Sequence, residues 1–147
     1  MSSPIADYLV KALDATLDVA RAFPLDKYDF WPTPESMTIG EQITHLADTL
    51  DYVIKPIADR TGLRPPLEEI ADGPISQLER MTAHVGQVLA QLNGDDWTRI
   101  VEYPDGFAMT PERAALVMLE HDAHHRGQLI VALRLLGIGP PKRWKES

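Results

Sequence analysis

The chain predicts an all-α protein, a four-helix bundle, on three observations. Four stretches repeat apolar residues at the 3.6-residue period of a helix, segments rich in proline and glycine separate them, and a single short stretch near residues 98–109 reads as extended. A length of 147 residues with 44% hydrophobic and 24% charged content suits one soluble domain with a sizeable core, so residues 1–147 are read as a single domain. No internal repeat or low-complexity tract interrupts it.

The first helix spans about Ser3 to Phe23, with Ile5, Leu9, Ala12, Leu13, Thr16, Leu17, Ala20 and Phe23 at helical spacing; Pro4 fits its first turn and Pro24 ends it. From Pro24 to Met37 periodicity is lost, and Tyr28, Phe30 and Trp31 lie in a long crossing loop expected to plug one end of the core. Thr38 and Glu41 have capping-box spacing and open the second helix, whose apolar stripe is Ile39, Ile43, Leu46, Leu50, Ile54 and Ile57; Pro56 kinks it or announces its end near Arg60. His45 lies well off that stripe, beside Gln42, Thr49 and Tyr52, on a face suited to the wall of a cavity.

Thr61 to Gly73 forms a second loop with Pro65 and Pro66. The third helix follows from Pro74 to Leu92 with Leu78, Met81, Thr82, Val85, Leu89 and Leu92 inward and Asn93-Gly94 as its stop, which leaves His84 expected in solvent. Thr98 to Met109 reads as a short hairpin or an extended loop around Pro104-Asp105-Gly106. Thr110, Pro111 and Glu112 make a good helix start, and the fourth helix runs to about Leu136 before Gly137. The basic tail Lys142 to Lys145 is expected to pack only through Trp144.

Charge and composition exclude several function classes. Fourteen Lys and Arg against 22 Asp and Glu give a net charge of −8, which repels phosphate backbones and anionic lipid surfaces, so neither nucleic acid nor a membrane is an expected partner. No basic leader precedes an apolar core and no apolar run is long enough to span a bilayer, so the reading is cytoplasmic. Without cysteine there is no disulfide and no thiolate ligand or nucleophile; sulfur chemistry would need an external thiol.

The informative stretch is Glu120-His121-Asp122-Ala123-His124-His125-Arg126, which holds three of the five histidines. On a helix, His121 and His125 stack on one face about 5–6 Å apart at Cβ. They share a stripe with Ala114, Val117, Met118, Gln128, Leu129, Ala132, Leu135 and Leu136, interrupting an apolar face. Buried imidazoles must be satisfied by something inside the fold, and a metal ion satisfies both at once, neutral imidazole being a good ligand for Zn, Ni, Cu or Fe. With His45 as a third donor, three neutral ligands leave a coordination position open, the catalytic rather than the structural pattern. His124 points away and reads as a polar edge residue. Gln128 can orient a substrate or serve as a buried hydrogen-bonding residue, Gly127 allows close helix approach, and Arg126 makes a surface ion pair or, as a cofactor-site candidate, binds a substrate carboxylate.

Met37-Thr-Ile-Gly-Glu-Gln-Ile-Thr-His45-Leu-Ala-Asp together with His121-Asp-Ala-His-His125-Arg-Gly-Gln-Leu resembles the DinB family of DinB/YfiT-like metalloenzymes, and the likeness in helix order and loop placement covers nearly the whole chain. The resemblance implies an up-down-down-up bundle, often a homodimer, with a divalent metal (Zn, Ni, Fe or Mn) held by His45, His121 and His125. It also implies, from related families, a thiol-dependent transferase or isomerase in which a low-molecular-weight thiol is activated on the metal for attack on a small-molecule electrophile. Two alternatives stand beside it. One is a metal-dependent hydrolase using bound hydroxide, with Glu41, Asp48, Glu120 or Gln128 as catalytic candidates; the other is a metal- or ligand-binding stress protein without turnover.

Overall fold

The computed structural model describes residues 3–62 and 73–142. The loop expected from residue 61 to 73 therefore falls largely outside the described residues, as does the Trp144 segment of the tail.

Helix α1 is Pro4–Arg21; the Ser3 hydroxyl accepts from the Ala6 amide at 3.5 Å, and Pro4 occupies the first turn where no intrahelical donor is needed. The crossing segment begins with a 3-10 turn, Leu25–Lys27, and is then tied to the next helix by Ile39 N–H to Phe30 O at 3.1 Å and Gly40 N–H to Tyr28 O at 2.9 Å. Gly40 serves that close approach, since a Cβ there would meet the Tyr28 carbonyl at 3.4 Å. Tyr28 and Phe30 pack against the core as expected, but Trp31 does not: it is 58% exposed, because the loop turns outward after Phe30 to reach Thr38.

Helix α2, Ile39–Thr61, opens with both halves of its capping box in place and ends at Gly62, whose φ of 72° is the left-handed conformation glycine adopts without strain. It runs through Pro56. Helix α3 is Pro74–Ala90. The hairpin follows, with β1 (Val101–Glu102) antiparallel to β2 (Ala108–Met109) around Gly106 at φ 90°. It is pinned to α2 by the buried Tyr103 hydroxyl donating to Val53 O at 2.7 Å and by Arg60 donating to Ile100 O at 2.6 Å. Helix α4, Pro111–Leu135, is capped by the Thr110 hydroxyl. It is closed by a Schellman motif, Ile138 N–H to Leu133 O at 2.9 Å with Gly137 at φ 76°.

In the bundle, α1 packs on α3 and α4, and α2 packs on the same two, so α1 and α2 lie on one diagonal. Named contacts fix the directions. Arg21 near the end of α1 pairs with Glu79 near the start of α3, which makes those two antiparallel. Asp48 faces Gln77 while Thr61 lies beside Gln91, so α2 and α3 run parallel. His45 meets His125 while Thr61 lies beside Pro111, so α2 and α4 are antiparallel. The result is up-down-down-up. Every residue expected in the apolar stripes of α2 and α3 is buried. Among the described residues no helix is long and apolar enough to cross a membrane.

The buried arc of α4 is rotated from its expected position. It centres on Met118, Asp122, His125 and Leu129 and includes Ala115 and Leu133, whereas Val117 is 36% and Leu135 60% exposed. The helix packs on two neighbours at once, so its buried arc faces the line between them. A stripe drawn without the charged Asp122 misses that centre.

Candidate metal centre

Two helices bring the three imidazoles together at the seam between α2 and α4. His45 leaves α2 on the face away from its apolar stripe, and His121 and His125 leave α4 one turn apart, their rings 4.4 Å between centroids. His45 completes the triangle at 4.9 Å from each. The Nε2 atoms of His121 and His45 face one another at 3.0 Å, and the Thr49 hydroxyl lies 3.4 Å from the same His121 nitrogen. His125 is buried, and its Nδ1 has no hydrogen-bond partner.

Burial and mutual proximity favour the neutral form of His121 and His125. Burial, then the neighbouring His125, His45 and His124, pushes His121 down to about 4. Burial likewise lowers His125, helped by His45 and His124 and opposed by a hydrogen bond with Gln128. Neutral imidazole is the ligating form, so the cluster is poised to bind a cation at neutral pH without losing protons first.

The residues fit a divalent ion. One nitrogen from each ring lies within 4.8 Å of the other two, and nitrogens sharing one ion at about 2.0–2.1 Å each stand no more than about 4.2 Å apart, so closure needs only a small movement. The orphaned buried nitrogen of His125 is the kind of cost that a bound ligand, or a group hydrogen-bonded behind the ligating ring, removes.

Other sequence candidates are distributed around this cluster. Glu41 and Asp48 line an open groove of about 510 Å³ that reaches His45 and also includes Tyr28, Thr38 and Thr44, a size suited to a small molecule. Glu41 is engaged in the capping box and Asp48 accepts from Gln77 at 3.2 Å, both exposed. Glu120 lines a different depression on the outer side of α4, with Arg113 and Leu116. Gln128 is exposed beside His125 rather than buried, and His124 is exposed with its ring edge-on to His125 at 5.1 Å.

Three expectations need correction. Arg126 is neither a surface ion pair nor turned toward the groove: its side chain is 12% exposed, and its Nη1 donates to Asp122 Oδ2 at 2.5 Å and to Ala12 O and Thr16 Oγ1 at 3.1 Å each, because its place on α4 faces α1. His84 is buried at 4% exposure, since α3 packs on both α1 and α2 and its covered arc is wider than one stripe; burial lowers its pKa against the pull of Asp51. Gly127 is not a point of close helix approach, because a Cβ there would meet nothing within 4 Å.

Sequence reasoning passed over Asp122, which is 2% exposed and pushed up to about 6 by burial against the stabilising Thr16 and Arg126. The signal was its spacing of four from Arg126.

Comparison with known proteins matches the DinB superfamily model over residues 8–129. Uncharacterized protein YjoA of Bacillus subtilis (strain 168) is 23% identical over 142 residues, covering 92% of this chain and 91% of that one. The crystal structure of that DinB-like protein superposes with a TM-score of 0.75 at 21% identity over 92% of each chain. A DinB-like protein from Bacillus cereus ATCC 10987 gives 0.73 at 16% identity over 93% of each. A conserved protein from Enterococcus faecalis gives 0.55 at 12% identity, covering 92% of this chain and 97% of the other.

Proposed function

The chain belongs to the DinB superfamily, and on that footing we propose that it is a metal-dependent enzyme whose His45, His121 and His125 hold one divalent ion, Zn, Ni, Fe or Mn, and which activates a low-molecular-weight thiol in an S-transfer or isomerisation reaction. The observation that carries this reading is the convergence of three nitrogens from two helices within 4.8 Å. When bound, an ion with a free coordination side supplies a nucleophile at neutral pH, by lowering the pKa of water to about 7 or by deprotonating a thiol.

The chain's own contributions are more specific. Burial holds His121 and His125 neutral and so ready to ligate. The groove beside His45 offers a small molecule a way to that side of the cluster. The absence of cysteine is compatible with a thiol brought in from outside. Cytoplasmic location and a homodimer belong to the same proposal, and light scattering on purified protein tests the dimer.

Metal analysis of protein purified without a histidine tag tests the ligand set. Wild type is expected to retain stoichiometric metal and His45→Ala, His121→Ala and His125→Ala to lose it; retention by all three variants would overturn the assignment. On cobalt- or nickel-substituted protein, one particular thiol is then expected to perturb the visible spectrum at micromolar levels. Cleavage of simple esters or amides without any thiol response would favour a hydrolase, a reading supported by Glu41 and Asp48 on the wall of the same groove. Neither response would leave a binding or stress protein.

A further inference from the structure

We infer that Thr49 is a positioning residue on the free side of the histidine cluster, its hydroxyl hydrogen-bonding the external group that a metal there would take up. The inference rests on the metal reading above and adds a residue to it.

Thr49 stands one turn beyond His45 on the same face of α2, half-buried at the edge of the seam. Its Oγ1 is 3.4 Å from His121 Nε2, and that nitrogen is 3.0 Å from His45 Nε2. Three polar atoms on two helices thus converge on one point. A ring nitrogen is either a donor or an acceptor, so without metal the hydroxyl and the His45 ring compete for the same His121 nitrogen. An ion held by His45 and His121 would take up that acceptor. Thr49 would then stand at the edge of the cluster with its O–H and lone pairs available to another group.

That hydroxyl suits a ligand atom carrying a lone pair and negative charge, such as a thiolate, a carboxylate or a small inorganic anion. The exposed carboxylates of the groove do not: Glu41 and Asp48 repel an anion and are engaged with Thr38 and Gln77. Gln128 sits beside His125 on the other helix, so the α2 side of the cluster falls to Thr49.

The test uses cobalt-loaded full-length protein and azide as the probe, read by the visible spectrum, in Thr49→Val and Thr49→Ser. Valine keeps the β-branched shape and removes the hydroxyl; serine keeps the hydroxyl. Thr49→Val is expected to bind cobalt stoichiometrically, to melt like wild type when metal-free, and to bind azide about ten-fold more weakly, the loss expected for one hydrogen bond to a charged group. Thr49→Ser is expected to restore azide affinity. The inference is overturned if wild type takes up cobalt but not azide, if azide binds Thr49→Val as tightly as wild type, if serine fails to restore it, or if Thr49→Val loses the metal itself. Failure of the metal reading is seen separately, as cobalt retained by His45→Ala or not bound by wild type, and removes this inference with it.

Discussion

Helix α4 carries two i, i+4 pairs one residue out of step with each other, and they face opposite neighbours. Asp122 and Arg126 turn toward α1, where Asp122 Oδ2 pairs with the guanidinium, Arg126 also donates to Thr16 and to the Ala12 carbonyl, and Asp122 Oδ1 keeps no partner. His121 and His125 turn toward α2, where they meet another imidazole. The Nε2 atoms of His121 and His45 share one hydrogen bond, one ring donating and the other accepting, and His125 Nδ1 is left without a partner. Spacing alone therefore does not mark a site. A pair of opposite charges compensates itself within the fold, whereas neutral imidazoles grouped together keep lone pairs that a cation can take up.

The largest expected effect separates the two seams directly. Arg126→Ala leaves the Asp122 carboxylate buried and uncompensated, and about 3 kcal/mol of stability should be lost at pH 8, measured by denaturant unfolding of metal-free protein. Its metal content should stay stoichiometric. His125→Ala should show the reverse, losing metal with a smaller change in metal-free stability. Loss of metal in Arg126→Ala with its fold intact would mean that the two seams are one site.

A smaller effect lies in pH, where the seams pull in opposite directions. His121 is lowered from 6.5 to about 4 in the folded protein, so its contribution is present above pH 6.5 and is lost as pH falls toward 4. Burial is the main cause of that lowering, and the nearby His125, His45 and His124 rings add to it. Asp122 is raised from 3.8 to about 6, so its contribution is present below 3.8 and is lost as pH rises through 6. Between pH 7 and 5 the two partly cancel. In metal-free protein, Asp122→Asn should steepen the fall in melting temperature over that range and His121→Ala should flatten it. Parallel slopes in both variants would contradict the opposition.

Much of this was legible from local sequence chemistry. The capping residues Thr38 and Thr110 act on donors within three residues, and the apolar stripes of α2 and α3 follow a fixed period, so neither needs tertiary knowledge. The ring cluster was legible as well, because the i, i+4 histidines interrupt an apolar stripe and the family resemblance names His45 as their companion. The corrections at His84 and Arg126, and the omission of Asp122, share one cause: a single buried stripe per helix does not describe a square bundle, in which each helix has two packed neighbours and a polar residue at the edge of the arc can be buried. Which neighbour lies beside a given edge depends on the crossing loop from α1 to α2, whose path no local pattern encodes.

The smallest effect concerns a third face of α4, the one turned away from both seams. Gly127 lies there, exposed, in a helix interior with no Cβ clash and no positive φ to require glycine. Glycine in that setting costs about 0.5–1 kcal/mol relative to alanine through the entropy of the unfolded chain. Gly127→Ala should therefore raise the melting temperature of metal-free protein by a few degrees, and it should leave metal content unchanged, since the residue faces neither α1 nor α2. A gain in monomer stability accompanied by weaker self-association in light scattering would assign the glycine to contact with a second copy. A loss of stability at protein concentrations too low for association would show that a neighbour within the chain approaches this face, and that α4 has three packed sides rather than two.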